Sequence, residues 1–135
     1  HLVARTDIDE LGHVNNQVYL DWLMGAATRH SQAVGWDLPR LIQMGEGWVV
    51  RRHEIEYLLP VKFGDTVAIR TWVETAEKVT SDRYYEIYRK SDGRKACSGK
   101  TMWVWINYRT GRPARIPQQV IQDFAAFEPK GPLKW

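Results

Sequence analysis

The residue types best suited to chemistry lie in one short polar stretch near the start of the chain. Three acids, a glycine, a histidine and two asparagines occupy positions 7–16, directly before an apolar segment. Carboxylates such as Asp9 act as nucleophiles or as general bases toward water. The free N–H groups of a helix N-terminus stabilise negative charge, including that of an oxyanion. Taken singly, however, each of these residues is better explained by helix capping or turn formation.

A helix is predicted directly after this stretch, over residues 17–34. Asn15 or Asn16 is suited to cap it, and Gly35 to end it. Its polar positions fall on one stripe, and most of the remaining circumference is apolar. A helix of this kind must be covered on several sides. The polar stripe consists of Gln17, Asp21, Thr28 and Gln32.

After a short predicted helix at Leu38–Met44, the apolar period changes from 3.6 to 2, which indicates strands. Strand-like runs cover residues 48–58, 66–74, 81–90 and 96–107, with turn residues between them. A short strand is predicted at 2–5 and a last helix at 117–126. We therefore expect an α+β fold in which a curved antiparallel sheet surrounds one helix. Unpaired edges of such a sheet favour a homo-oligomer joined edge to edge.

Composition narrows the classes of protein. The 135 residues suit one domain, taken here as 1–135, and 44% hydrophobic with 26% charged residues excludes a disordered chain. No apolar run approaches the ~20 residues of a membrane span, and no signal peptide is visible. The single cysteine, Cys97, is expected to be a small buried hydrophobe in a cytoplasmic protein. A net charge of +3 with seven Trp and six Tyr keeps a nucleic-acid-binding domain as an alternative. This alternative is disfavoured because the aromatic residues fall at the same alternating positions as the core residues and form no evident exposed row.

The motif Asp9-x-x-x-His13-Val14-Asn15-Asn16-x-x-Tyr19-x-x-Trp22 resembles the signature of the hot dog-fold thioesterases. The similarity is to their 4-hydroxybenzoyl-CoA and acyl-ACP (acyl carrier protein) thioesterase branches. Stretches 54–65 and 110–117 are similar to the same group in order and spacing. The resemblance implies a hot dog fold, a five-stranded antiparallel sheet around one long helix. It also implies hydrolysis of acyl-CoA or acyl-ACP, without metal or cofactor beyond the thiol carrier of the substrate.

The resemblance assigns roles residue by residue. Asp9 matches the catalytic aspartate, and His13 matches a histidine of the acyl-ACP enzymes. Asn16 stands where a backbone N–H is offered to the thioester oxygen. Many relatives carry a helical glutamate where this chain has Met24 and Gly25, so Asp9 is expected to act without a second carboxylate. Candidate substrate contacts are Tyr19, Trp22, Asn15, Arg51 and His53; the last two could instead lie at a dimer seam or a sheet edge.

The expected substrate preference depends on which side chains line the acyl site. If Tyr19, Trp22, Leu23, Trp103 and Trp105 line the acyl site, medium to long aliphatic chains are preferred, with aromatic acyl groups second. Basic residues between positions 83 and 100 are candidates for binding the phosphates of coenzyme A. The homo-oligomer is expected to be a dimer or tetramer. The alternative function is a non-catalytic hot dog protein that binds acyl thioesters.

Overall fold

The structure, a computed structural model, describes residues 1–125. Its long helix α1 spans Asn16–Ala33, one residue from the predicted range at each end. The Asn15 side chain caps α1 by accepting the Gln17 N–H at 2.9 Å, and Gly35 follows its end with a φ of 84°. The predicted polar stripe is exposed. The buried residues of α1 are Tyr19, Trp22, Leu23, Ala26, Ala27 and His30.

Four long strands form one antiparallel sheet in the order β1-β4-β3-β2. They span Glu46–Tyr57 (β1), Val67–Glu77 (β2), Thr80–Arg89 (β3) and Lys95–Asn107 (β4). The two remaining helices are α2, Leu38–Met44, and α3, Gln118–Ala125. Each matches a predicted element. Among residues 1–125, no helix has the length and hydropathy needed to cross a membrane.

The predicted N-terminal strand is shorter than expected. Leu2 pairs with Thr66 through a single antiparallel bridge, which continues the sheet beyond β2 and takes the place of the fifth strand. The chain then curls into a 3-10 turn at Arg5–Asp7. The Asp7 carboxylate accepts the Ala4 N–H at 2.9 Å, and this local bond competes with strand pairing.

One face of the sheet, here called the inner face, packs on α1. It carries Ile55, Ile69, Tyr85, Ile87 and Cys97, which join α1 side chains in the main core. Gly99 of β4 makes room for the helix, because a Cβ there would lie 3.0 Å from Leu23 Cδ1. A second core cluster joins α2, α3 and β4 around Trp36, Leu41, Trp105, Ile116, Val120 and Phe124.

A β-bulge in β1 changes which residues face the helix. Pairing with β4 shifts register between Val50 and Arg52, so Arg51 is the extra residue. Val49 and Arg51 therefore do not share the inner face with His53, although strict alternation along β1 would place all three on one face. His53 does face inward, opposite Thr101.

Candidate active site

The polar loop before α1 is closed by its own backbone. The Asp9 N–H donates to the His13 carbonyl at 2.8 Å, and the Gly12 N–H donates to the Asp9 carbonyl at 3.1 Å. Gly12 has a φ of 78°, a conformation that side chains with a Cβ rarely adopt. The glycine thus permits the reversal that brings His13 back to Asp9.

The loop is also fixed to the elements around it. The Val14 N–H donates to the Val61 carbonyl at 2.8 Å, and His13 forms an antiparallel bridge with Lys62. The Asn15 N–H donates to the Asp7 carbonyl at 2.8 Å. These bonds hold the loop between the N-terminus of α1 and the segment that leads into β2.

The half-buried Asp9 carboxylate has one anchored and one open oxygen. Its Oδ1 accepts the N–H groups of Leu11 at 2.9 Å and of His13 at 3.2 Å. Its Oδ2 accepts no hydrogen bond from residues 1–125. Two donors on one oxygen orient the group, and the second oxygen is left for a substrate or a water molecule.

The first turn of α1 offers one free donor next to this loop. The N–H groups of Gln17 and Val18 are both taken by Asn15. The Asn16 N–H has no partner within the described part of the chain. The Tyr57 hydroxyl donates to the Asn16 carbonyl at 3.3 Å, which brings the end of β1 to the same place. Asn15 is thus a cap, and Asn16 supplies the N–H that can face an oxyanion.

His13 contributes through its backbone. Both of its main-chain groups bond to Asp9, whereas its ring makes no hydrogen bond to Asp9 or to any other residue in 1–125. The ring is half exposed. The resemblance to the acyl-ACP enzymes implies a supporting role for His13 in orienting the substrate or Asp9, and of these two the free imidazole is available only to the substrate.

Tyr19 and Trp22 are core residues of α1 in this structure. Tyr19 is 4% exposed and Trp22 is 8% exposed. The Tyr19 ring packs edge-on against Trp22, with centroids 5.5 Å apart, and against Tyr57 at 5.2 Å. Burial raises the pKa of Tyr19 to about 12, so its hydroxyl stays protonated. Their predicted substrate contact remains a prediction.

Arg51 and His53 lie on the edge strand β1. Arg51 is exposed at the bulge. His53 is half-buried, with Nδ1 2.8 Å from the hydroxyl of the buried Thr101, and burial lowers its pKa. The structure therefore places both residues at a sheet edge, which is one of the two alternatives to substrate contact.

The basic residues considered for coenzyme A do not form one open cluster. Arg83 is 4% exposed and points inward. Lys95 pairs with Glu86 at 3.3 Å and Lys100 with Asp82 at 3.7 Å. Arg89 pairs with Asp92 and also donates to the Pro60 carbonyl.

A cavity lies away from the Asp9 loop. It has a volume of about 450 Å³ and adjoins the second half of α1, from Ala27 to Gln32, together with α3 and the inner face. Of the five apolar side chains expected to line an acyl site, only Trp103 borders this cavity. The others, Tyr19, Trp22, Leu23 and Trp105, belong to the two core clusters.

The structure also bears on two other candidates, a cysteine nucleophile and a metal-ligand set. Cys97 is fully buried, and burial raises its pKa to about 12, which suits a core residue rather than a nucleophile. Within residues 1–125, no three His, Cys, Asp or Glu side chains come together as a metal-ligand set.

Known proteins with the same pattern were found by sequence and by structure. The acyl-acyl carrier protein thioesterase ATL3, chloroplastic, of Arabidopsis thaliana is 22% identical over 123 residues, 90% of this chain and 63% of that protein. The chain thus spans less than two-thirds of this curated relative, and 19% of an acyl-[acyl-carrier-protein] hydrolase, FATB3, of Cuphea viscosissima.

Solved structures align over nearly the whole chain. A thioesterase complexed with coenzyme A and Zn from Thermus thermophilus is 29% identical, with a TM-score of 0.80 over 93% of this chain and 89% of the other. BH1999 gentisyl-coenzyme A thioesterase is 25% identical, with a TM-score of 0.80 over 93% and 97%. The thioesterase-like superfamily itself matches residues 3–124. With the helix-in-sheet fold and the loop before α1, this match shows that the chain belongs to the thioesterase-like superfamily.

Proposed function

We propose that this protein hydrolyses acyl thioesters of coenzyme A or acyl carrier protein, with Asp9 as the nucleophile or general base. The observation that carries the proposal is the Asp9 carboxylate, anchored through Oδ1 and open at Oδ2 beside the start of α1. Membership of the thioesterase-like superfamily and the functions of the relatives named above support it.

The geometry suits either of two routes. In the nucleophilic route, Asp9 Oδ2 attacks the thioester carbon, the thiolate leaves, and water cleaves the resulting anhydride to release the acid. In the general-base route, Oδ2 takes a proton from water as the water oxygen attacks the same carbon. In both, the carbonyl oxygen gains negative charge. The free Asn16 N–H and the positive end of α1 can stabilise that charge.

No metal or organic cofactor is part of this proposal, because a thioester is already an activated acyl group with a stable leaving thiolate. We therefore expect dialysis against a strong chelator to leave turnover unchanged. The matched sample is dialysed without chelator. A loss of activity that added metal restores would contradict both this expectation and the supporting, metal-free role of His13.

We propose that the active form is a homodimer joined through β1. Within residues 1–125, β1 pairs only with β4, so its other edge has unpaired backbone groups over 12 residues. Val49, Val50 and Tyr57 are 37%, 40% and 45% exposed there. Because the Tyr57 hydroxyl reaches Asn16, a second copy at this edge would lie beside the proposed active site.

Sedimentation tests the dimer directly. The wild-type protein should sediment as a dimer at assay concentration, and Val50→Lys should shift it toward monomer with loss of activity. Lys95→Ala, which removes an exposed charge far along β4, is the control. An active wild-type monomer would contradict the proposal, and a stable tetramer would add a second interface to it.

The deciding experiment for the function is a panel of acyl-CoAs from acetyl to palmitoyl, with benzoyl-CoA, assayed by release of free thiol. We expect hydrolysis, with kcat/KM rising toward medium or long chains as each buried methylene adds roughly 0.8 kcal/mol. Binding without cleavage across the panel, and across acyl-ACP substrates, would favour the non-catalytic alternative. A flat profile would refute the chain-length preference alone.

A further inference from the structure

Arg83 is a cation enclosed in the protein. Its side chain lies on the inner face of β3 and is 4% exposed. Strand alternation explains the position, since Ser81, Tyr85 and Ile87 share its buried face. A buried charge is unfavourable unless a group of opposite charge and hydrogen-bond partners compensate it.

The partners of Arg83 within the described chain are neutral. Its Nη1 lies 2.9 Å from His30 Nδ1 and 2.9 Å from Thr71 Oγ1. Arginine only donates, so His30 Nδ1 accepts and the neutral ring carries its proton on Nε2. Burial, followed by the charge of Arg83, lowers the pKa of His30 to about 4, so the ring is neutral at pH 7.

The rest of the guanidinium is unused. Its Nε and Nη2 donate to no group within residues 1–125, and no carboxylate of that part lies within salt-bridge distance. Burial lowers the pKa of Arg83 to about 10, which still leaves it charged at neutral pH. The arginine thus presents a positive fork with free donors and no counter-charge from residues 1–125.

Arg83 lines the cavity of about 450 Å³ described above. Its volume falls in the range of roughly 300–1,000 Å³ usual for small-molecule sites. Its walls are mainly apolar and aromatic, and its polar side chains include Arg83 and Ser81. Two carboxylates also line it: Asp37 accepts the Arg40 N–H at 3.0 Å, and Glu74 accepts the Trp72 Nε1–H at 2.7 Å. The exposed lining residues, which include Thr28 and Leu38, mark where it meets solvent. The aromatic lining residues are Trp36, Trp48, Trp103, Tyr108 and Phe124.

A second buried donor borders the same space. The Trp103 Nε1 atom is buried and completes no hydrogen bond of normal geometry with the described residues. The Tyr85 hydroxyl also completes no hydrogen bond of normal geometry, although it interacts with Trp103 and Thr101. A buried donor without a well-formed hydrogen bond is unusual in a folded protein, and an acceptor in the cavity would satisfy it.

We propose that this cavity binds a carboxylic acid with an apolar body, and that its carboxylate pairs with Arg83. The planar guanidinium can hold a carboxylate with two parallel hydrogen bonds, and the aromatic walls accept the apolar remainder. Arg83 is the one cation among the described lining residues, and the lining carboxylates of Asp37 and Glu74 already accept hydrogen bonds from Arg40 and Trp72. One cation beside two acids favours a ligand with one negative charge over a phosphate with two.

This site is separate from the Asp9 loop. Ala27, the first cavity residue on α1, is 11 residues beyond Asn16, which corresponds to about 16 Å along the helix axis. The proposal therefore does not rest on thioester hydrolysis and can succeed or fail independently of it.

Calorimetric titration of the full chain with octanoate and octanol at pH 7 tests the proposal. The two probes share an apolar body and differ in charge. We expect octanoate to bind with one-to-one stoichiometry and at least about tenfold more tightly than octanol, as a charge-assisted pair requires. Octanol binding as tightly as octanoate would overturn the assignment of Arg83 as the anion partner.

Three variants test where octanoate and octanol bind. Arg83→Met should abolish the preference for octanoate, whereas Arg94→Met, at an exposed arginine in the β3–β4 turn, should retain it. Thr28→Trp fills the mouth from the exposed stripe of α1 and should block both probes, which keeps the test valid if Arg83→Met fails to fold. Unchanged octanoate binding in Thr28→Trp would place the ligand elsewhere and refute the proposal.

Failure of octanoate to bind the wild-type protein would also refute it.

Discussion

Asp9→Asn separates the chemical role of Asp9 from its structural role. The amide keeps an acceptor at Oδ1 for the N–H groups of Leu11 and His13, so the loop should close as before. The change removes the negative charge that attacks carbon or takes the proton. Loss of a general base costs about 10²–10⁴ in rate, which is about 2.7–5.4 kcal/mol at ~1.36 kcal/mol per tenfold.

The structural cost should be much smaller. Hydrogen bonds to a charged acceptor are about twice as strong as neutral ones, and a neutral bond contributes about 1 kcal/mol. Because Asp9 is half-buried and solvent screens it, we expect Asp9→Asn to lower the free energy of unfolding by about 1 kcal/mol, or Tm by about 2–4 °C. Asp9→Ala removes both acceptor contacts and should lose about 2–3 kcal/mol together with activity.

The assay is thiol release from the best acyl-CoA, with kcat and KM determined separately and Tm measured on the same samples. Asp7→Asn is the matched control, since Asp7 also accepts a backbone N–H, that of Ala4, in the same loop. It should retain turnover. Near wild-type kcat in Asp9→Asn, or an equal loss in Asp7→Asn, would refute the assignment of Asp9.

Three further predictions concern the core. The folded pKa of His30, about 4, lies below its ordinary 6.5, so the unfolded chain binds the proton more readily. The free energy of unfolding, measured in urea, should therefore fall by about 2–3 kcal/mol between pH 6.5 and 4, and His30→Gln should flatten that slope. Cys97 should resist a thiol reagent in the folded protein and react once urea unfolds it, because burial raises its pKa to about 12; rapid labelling of the native protein would contradict this. Gly99→Ala should lower stability by about 1–3 kcal/mol, since its Cβ would lie 3.0 Å from Leu23 Cδ1. Gly25→Ala, inside α1 near only a flexible arginine, should instead raise stability by up to ~1 kcal/mol. Thermal shifts of the same sign in the two variants would contradict the packing described here.

Features set by neighbouring residues were predictable from the sequence. The Asn15 cap, the polar stripe of α1 and the terminating Gly35 depend on contacts within one or two helical turns. The turn around Gly93, with a φ of 67°, is likewise a local preference of Ser-Asp-Gly. The motif from Asp9 to Trp22 identified the family for the same reason, because its residues are close in sequence.

Some local features carried no usual signal. The β2–β3 hairpin turns at Lys78, whose φ of 51° is unusual for a residue with a side chain. Tertiary pairing of two long strands holds that conformation, so the turn was not evident from residue type. The N-terminal strand is shorter than the sequence predicted. The Asp7 carboxylate accepts the Ala4 N–H, and this local bond curls a backbone that would otherwise have continued to pair with the sheet.

The placement of side chains relative to the sheet was decided by tertiary structure alone. The bulge at Arg51 arises from pairing with β4, and it moves Val49 and Arg51 off the face that alternation assigned to them. Arg83 shares the parity of Tyr85 and Ile87, which was the available sign that it is buried, but its charge favoured a surface position. Only the approach of α1, α3 and β2 shows that it meets His30 and Thr71 at a cavity. Sequence spacing specifies contacts within an element, whereas contacts between residues far apart in the chain depend on how the elements pack.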